Sequence, residues 1–144
     1  MREVRAEIRI NAPADRCLQG FINVETMRQW WGVDRGLVEP KPGGMWALAW
    51  ERSEHGFRYV STGRIKAYSS GKYLDIENLV YFNPDHVVFG PLRLTILVKT
   101  KNGGTHLSLV QDGYGEGPEW DWYYDAVLHA WPRALEALKK FLEK

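Results

Sequence analysis

The side chains that most often perform catalysis are few in this sequence, and their spacing matches no catalytic or metal-binding motif. The histidines at 55, 86, 106 and 129 show neither H-x-x-x-H nor H-E-x-x-H spacing, and Cys17 is the single cysteine. Zinc sites need several such ligands at short spacing. The sequence also lacks the G-x-S-x-G elbow and the glycine-rich phosphate loops. We therefore predict no metal, no cofactor and no assigned catalytic residue.

A group of carboxylates occurs late in the chain, with no Lys or Arg between Lys101 and Arg133. Its members are Asp112, Glu116, Glu119, Asp121 and Asp125. Paired carboxylates can transfer protons or bind a hard cation. Acids at a helix N-terminus also stabilise the helix through its dipole, and we prefer this structural interpretation.

Aromatic residues are the unusual feature of the composition, because 7 of the 144 residues are tryptophan. Trp46, Leu48 and Trp50 alternate with other residues and would share one face of a strand. A second set recurs at intervals of 4, 3 and 4, which places it on one helix face: Trp120, Tyr124, Val127 and Trp131. Facing each other, the two sets would line a ligand pocket. The alternative is that rings such as Trp31 and Trp131 only fill the core.

Two amides are expected to orient a ligand in that pocket. Asn78 has the same parity as Leu74 and Ile76 in a predicted strand, and Gln111 has the same parity as Leu107 and Leu109. If those apolar faces point inward, both amides point into the pocket, where a few polar groups usually fix ligand orientation. The alternative is that each amide lies at a strand end or bulge in contact with water.

The composition limits the class of protein. Hydrophobic residues make up 44% and charged residues 26% of the sequence, and the formal net charge is +1. These values are typical of one globular domain, predicted here over residues 1–144, and they disfavour nucleic-acid partners. The charges at every other position near the N-terminus exclude a signal peptide, and no run approaches the roughly 20 apolar residues of a membrane span. We expect a cytoplasmic protein without a membrane partner.

The hydrophobic pattern predicts an α+β fold. Residues 3–10 alternate strictly, as in a half-buried strand, and two short helices should follow at about 13–22 and 23–31. Asn11 and Asn23 are the predicted caps of these two helices. Further strands are predicted at 45–52, 57–68, 73–82, 92–101 and 105–112, with Asn102-Gly103-Gly104 as a hairpin turn. A long amphipathic helix should cover residues 119–142.

Several stretches in this order resemble one known family. Asn11-Ala12-Pro13-Ala14-Asp15 is similar to the opening x-A-P-x-x-x-V-W, and Met27-Arg28-Gln29-Trp30-Trp31 to L-x-x-W-W. Pro42-Gly43-Gly44-Met45-Trp46 is similar to a Gly-Gly-x-aromatic strand start. Residues 103–109 resemble G-G-T-x-L-T-L, and residues 130–138 resemble a closing G-W-x-x-x-L-x-x-L helix. The family is the START-like, helix-grip (SRPBCC) superfamily, in its branch of activator of 90-kDa heat-shock protein ATPase homologues.

The resemblance implies a curved antiparallel sheet wrapped around the long C-terminal helix, with a cavity between them. It implies a domain that binds a small apolar or aromatic molecule in that cavity. The matching strand and helix faces place the binding residues at Trp46, Leu48, Trp50, Asn78, Gln111, Trp120, Tyr124, Val127 and Trp131. One alternative is an enzyme of the polyketide aromatase/cyclase or hydrolase-like type. Another is a chaperone-ATPase activator or regulatory partner, which we do not expect of this chain alone because the chaperone activator has a further N-terminal domain.

Overall fold

The structure is a computed structural model that describes residues 2–144. Its helices and strands follow one another along the chain as β1 (Glu3–Ile10), α1 (Ala14–Gln19), α2 (Val24–Trp30), β2 (Arg35–Val38), β3 (Met45–Ser53), β4 (Gly56–Ser69), β5 (Tyr73–Phe82), β6 (Phe89–Lys101), β7 (Gly104–Asp112) and α3 (Pro118–Leu142). The strands form one sheet in the order β1-β7-β6-β5-β4-β3-β2, and every neighbouring pair is antiparallel.

The alternation of apolar and charged residues in the sequence corresponds to an observed strand. In β1, Val4 and Ile10 are buried while the intervening charged residues face water. The short edge strand β2 was not predicted, because most of its residues are exposed and it offers little apolar alternation. Strand β6 begins at Phe89, three residues before the predicted start, and this extension carries it past Pro91.

The two short helices begin differently. The side chain of Asn23 accepts a hydrogen bond of 2.9 Å from the backbone N–H of Thr26, so the predicted cap of the second helix is confirmed. Asn11 does not cap the first helix, whose N-cap is Pro13. The backbone N–H of Asn11 instead donates to a carboxylate oxygen of Glu143 at 2.7 Å, which ties the chain near β1 to the end of α3.

Helix α3 covers one face of the sheet, and its C-terminal half is packed tightly. Trp131, Leu135, Leu138 and Leu142 are buried there. A methyl group added at Gly20, just after α1, would lie only 2.8 Å from Leu138 Cδ1, so the glycine permits this close approach. The α+β, helix-grip arrangement expected from the resemblance is confirmed. No helix in the described part of the chain combines the length and the apolar character needed to cross a membrane.

Candidate functional site

A pocket of about 520 Å³ lies between the sheet and residues 122–134 of α3. Small residues on the helix create this space. Ala126, Ala130 and Ala134 recur every fourth residue and line the pocket together with Val127. Such spacing places them on one helix face, and their short side chains leave the sheet opposite uncovered.

Tryptophans form one wall, and the ring nitrogens of Trp46 and Trp50 are hydrogen-bonded within the protein. Trp46 Nε1 donates to the carbonyl oxygen of Phe21 at 2.8 Å, and Trp50 Nε1 donates to that of Trp31 at 3.3 Å. The Trp31 ring stacks on Trp30, with centroids 4.9 Å apart, and meets Trp50 edge-to-face at 5.4 Å. Because these indole N–H groups already have acceptors, the rings offer mainly apolar carbon to the pocket.

Tyrosines form a second wall. Tyr59 stacks with Tyr81 at a centroid distance of 6.4 Å, and Tyr81 stacks with Tyr123 at 5.4 Å. Burial raises the pKa of Tyr81 and of Tyr123, and the neighbouring tyrosine in the stack adds to each rise. These two hydroxyls therefore stay protonated at neutral pH and are neutral hydrogen-bonding groups.

Gln111 supplies the amide at the inner end of the pocket. Its Oε1 atom accepts a hydrogen bond of 2.7 Å from Trp131 Nε1, and both residues are buried. A hydrogen bond between Gln111 and Tyr123 partly opposes the rise in the pKa of that tyrosine. The amide thus fixes the orientation of the Trp131 ring.

Exposed lining residues mark the mouth of the pocket. Gly32 and Glu51 lie on one side, and Trp122, Ala126 and Ala130 lie on the helix side. Glu51 is the only acidic residue among the described residues that line the pocket, and Lys, Arg and His are absent from that set.

The Trp122 ring at this rim is held by the segment between β5 and β6. His86 stacks on Trp122 with ring centroids 3.6 Å apart, and His86 Nδ1 lies 2.8 Å from Glu119 Oε2. Two of the other predicted acids also meet basic groups, since Asp121 pairs with Arg2 and Asp125 lies near His129. Within residues 2–144, no three His, Cys, Asp or Glu side chains are grouped closely enough to hold a metal ion.

Five of the predicted binding residues meet around the pocket, namely Trp46, Trp50, Gln111, Val127 and Trp131. Four others do not line it, namely Leu48, Asn78, Trp120 and Tyr124. The expected inward orientation of Asn78 is wrong. Asn78 is exposed and has φ of 52°. Ile76 of β5 pairs with Leu94 of β6, and Leu79 pairs with Leu92, so β5 contains one more residue than β6 between these two pairs. This bulge reverses the parity, so that Leu79 faces the pocket instead.

Leu48 has the predicted parity but another neighbour. It is buried opposite Gly36 of β2, where a methyl group added to that glycine would meet Leu48 and Val24 at 3.1 Å. Leu48 therefore packs beneath α2, away from the pocket.

Trp120 and Tyr124 lie on a different side of α3 from the pocket. Trp120 packs edge-to-face on Phe89 and Tyr114, with centroids 5.2 and 6.2 Å apart. The Tyr124 hydroxyl donates to the carbonyl oxygen of Glu3 at 3.2 Å. The pocket-facing aromatic residue on this turn is Tyr123, because the helix lies against β1 on one side and the pocket on the other.

Sequence reasoning missed several lining residues. In β4, Tyr59 and Ser61 alternate with outward residues, and this parity could have identified them. The four-residue spacing of the alanines was a signal for space beneath the helix. Nothing in the pattern predicted that Glu51 would line the pocket beside its neighbour Trp50.

Comparison with known proteins identifies the family. The sequence matches the family model of activator of Hsp90 ATPase homolog 1-like proteins over residues 11–143. The chain belongs to this family. No curated protein sequence matches the chain.

Several solved structures share the fold of this chain at low sequence identity. Protein MLL2253 from Mesorhizobium loti is 19% identical, with a TM-score of 0.74 and coverage of 99% of this chain and 97% of that chain. The Aha1 dimer from Colwellia psychrerythraea is 14% identical, with a TM-score of 0.74 and the same coverage. DynU16, a protein in the dynemicin biosynthetic locus, is 12% identical, with a TM-score of 0.72 and coverage of 99% and 47%.

Proposed function

We propose that this protein binds a small apolar or aromatic molecule in the pocket between the sheet and α3. The observation that carries the proposal is the size of the pocket, about 520 Å³, combined with its largely aromatic and aliphatic lining. Protein interiors contain few voids larger than a water molecule, and ligand pockets are commonly about 300–1,000 Å³. A space of this size between the sheet and the N-terminal half of α3, open at its mouth, is suited to a ligand.

The fixed walls support binding further. The rings of Trp46, Trp50 and Trp131 are held by hydrogen bonds of 2.7 to 3.3 Å, so a ligand would not have to order them. Binding then costs less conformational entropy than it would in a mobile pocket. Gln111 and the neutral hydroxyls of Tyr81 and Tyr123 supply the few polar contacts that orient a ligand.

The same lining gives less support to the enzyme alternative. Acid–base catalysis at neutral pH works best with groups whose pKa lies near the operating pH. Burial moves the pKa of Tyr81 and Tyr123 further above that range, and Glu51 lies at the water-exposed mouth. We therefore favour a binding protein, and we include in the proposal a cytoplasmic location, in keeping with the single, buried thiol of Cys17.

Filling the pocket tests the proposal. Ala130→Leu adds three carbons to a residue that lines the mouth, whereas Arg133→Leu puts the same side chain on an exposed helix position outside the pocket. The probe is the neutral dye N-phenyl-1-naphthylamine, followed by its fluorescence during titration. We expect saturable binding to the natural protein and to the Arg133→Leu variant, and binding at least tenfold weaker to Ala130→Leu.

A stability measurement provides the second readout. A ligand present at a hundredfold excess over its Kd should stabilise the folded state by about 2.7 kcal/mol. That corresponds to a rise in Tm of several degrees for a domain of this size. Absence of saturable dye binding, or equal binding by the two variants, would contradict the pocket as the binding site.

A further inference from the structure

The charge distribution at the mouth of the pocket indicates the chemical class of the ligand. Among the described lining residues, the single ionisable carboxylate is Glu51, and no basic side chain is present. The inner end holds the amide of Gln111 and the neutral hydroxyl of Tyr123. The formal charge that a ligand would meet inside the pocket is therefore negative and lies at the mouth.

An unusual backbone conformation places that carboxylate. Glu51 has φ of 54°, in the left-handed region that side chains other than glycine rarely adopt. Its neighbour Trp50 also lines the pocket, although adjacent residues of a regular strand face opposite sides of a sheet. The left-handed turn thus brings an aromatic ring and a carboxylate from consecutive residues to the same opening. Such strain persists only where the surrounding structure maintains it, and it concentrates at functional sites.

The cation nearest to Glu51 is Arg58, which shares its contacts between Asp85, Tyr59 and Glu51. Arg58 Nη2 donates to a carboxylate oxygen of Asp85, and Arg58 Nε donates to the Tyr59 hydroxyl at 2.9 Å. Its distance to a Glu51 carboxylate oxygen is 4.0 Å, at an exposed position. On the other side of Glu51, Arg52 pairs with Asp34. Arg58 thus forms its shorter ion pair with Asp85 and only a longer one with Glu51, so the Glu51 carboxylate can still accept a cationic ligand at the mouth.

Aromatic rings next to Glu51 add to the attraction for a cation. Trp31, Trp50 and Tyr59 line the same end of the pocket, and the Arg58 guanidinium already lies 5.5 Å from the centroid of the Tyr59 ring. The face of an aromatic ring carries partial negative charge and attracts organic cations. A carboxylate beside several rings therefore selects a positively charged nitrogen over a neutral or anionic group.

We propose that the ligand is an organic cation, a protonated amine or quaternary ammonium attached to an apolar or aromatic body. The body fills the inner pocket against Trp46, Leu79 and Trp131, and the charged nitrogen stays at the mouth beside Glu51. This assignment rests on the proposed function, because it names the ligand class of the same pocket.

Three probes with one aromatic body test the assignment: naphthalen-1-ylmethylamine, which is protonated at pH 7, neutral naphthalen-1-ylmethanol, and the anion naphthalene-1-carboxylate. Calorimetric titration into the full chain should give an affinity for the amine about fivefold to tenfold above that for the alcohol, as expected for a partly exposed carboxylate with adjacent rings. The carboxylate should bind more weakly than the alcohol.

Matched variants separate this assignment from the proposed function. Glu51→Gln should abolish the preference for the amine and leave alcohol binding within about twofold. Glu54→Gln removes an exposed carboxylate of the same hairpin that does not line the pocket, and it should keep the preference. Equal binding of the three probes, a preference for the carboxylate, or a preference that survives Glu51→Gln would overturn the cation assignment while the pocket stands. If the alcohol and the amine both fail to bind, the proposed function itself fails.

Discussion

The two halves of α3 differ in how closely they pack, since the C-terminal half is tightly packed and the N-terminal half borders a pocket. In the C-terminal half, Leu135, Leu138 and Leu142 are buried, and Leu138 packs closely on Gly20. In the N-terminal half, Ala126 and Ala130 line the mouth of a pocket of about 520 Å³. The inner faces differ in composition, because the open half carries alanines at 126 and 130 beside the larger Tyr123 and Val127, whereas the packed half carries leucines.

This difference separates the stability of the fold from the capacity to bind. The leucine half removes apolar surface from water and holds the helix in place. In the N-terminal half, Ala126 and Ala130 contribute little to that packing, so this part of the helix can line a pocket with fixed aromatic walls. Substitutions in the two halves should therefore act on different properties.

The largest effect is expected from shortening a side chain in the packed half. Leu138→Ala should lower the free energy of unfolding by about 3 kcal/mol, because Leu138 is fully buried and its truncation leaves a cavity. Urea denaturation followed by circular dichroism measures this change. The matched variant Leu128→Ala alters a leucine of the same helix that is 40% exposed, and it should cost under about 1 kcal/mol. Similar losses for both variants would show that the packed half does not anchor the helix.

A smaller loss should follow from breaking the polar link at the boundary between the halves. Gln111→Leu removes the acceptor of the 2.7 Å hydrogen bond from Trp131 Nε1 and leaves a buried N–H group unpaired. We expect a loss of about 1–3 kcal/mol, since a buried donor without a partner costs that much.

The double variant Gln111→Leu with Trp131→Phe provides the control. Phenylalanine carries no N–H group, so Gln111→Leu should cost less in this background than in the natural protein. Equal costs in the two backgrounds, measured by urea denaturation, would exclude this hydrogen bond as the cause.

An ion pair on the outer face of the sheet, away from both halves of α3, should make the stability depend on pH. Asp75 accepts hydrogen bonds from Arg93 at 3.0 and 2.7 Å, and Arg93 holds the pKa of this carboxyl below its usual range. A depressed folded pKa stabilises the protein above the unfolded value near 3.8, and the contribution is lost as pH falls through the folded pKa.

The variant Asp75→Asn isolates that contribution. The natural protein should be more stable than the variant by on the order of 1 kcal/mol at pH 6. The difference should shrink when unfolding is measured below about pH 4, because the carboxyl is protonated first in the unfolded chain and then, at lower pH, in the folded protein. A difference that is the same at both pH values would rule out the ionised carboxylate as its source.

Much of the fold could be predicted because local pattern and tertiary environment agree. The alternation over residues 3–10 gave the right strand because β1 is half-buried along its length, and Asn23 gave the right cap because the cap needs only local contacts. The edge strand β2 has few apolar residues and depends on pairing with β3. Strand β2 forms because it pairs with β3, and the residues of β2 alone do not reveal that pairing.

The pocket was predictable only where periodicity is unbroken. Trp46 and Trp50 follow a regular strand, but the bulge at Asn78 reverses the parity of the residues that follow it. Asparagine adopts positive φ more readily than most residues, so a bulge there was one of two alternatives, and the sequence alone did not decide between them. On α3, apolar side chains occur on two sides of the N-terminal half, so the sequence does not distinguish Tyr123 from Tyr124. Only the packing of Tyr124 over Glu3 decides between them.

The smallest change in stability should come from enlarging a side chain in the open half. Ala126→Leu adds three carbons where the helix faces the pocket mouth, and both residues are good helix formers. We expect the free energy of unfolding to change by less than about 0.5 kcal/mol, as at other positions free of packing constraints. Gly20→Ala is the contrasting change in the packed half, where a single methyl group would lie 2.8 Å from Leu138 Cδ1. Overpacking of this kind typically costs about 1–3 kcal/mol, so one added carbon should destabilise the protein more than three. Thermal unfolding of both variants measures the contrast, and a larger loss for Ala126→Leu would mean that the N-terminal half is packed as tightly as the C-terminal half.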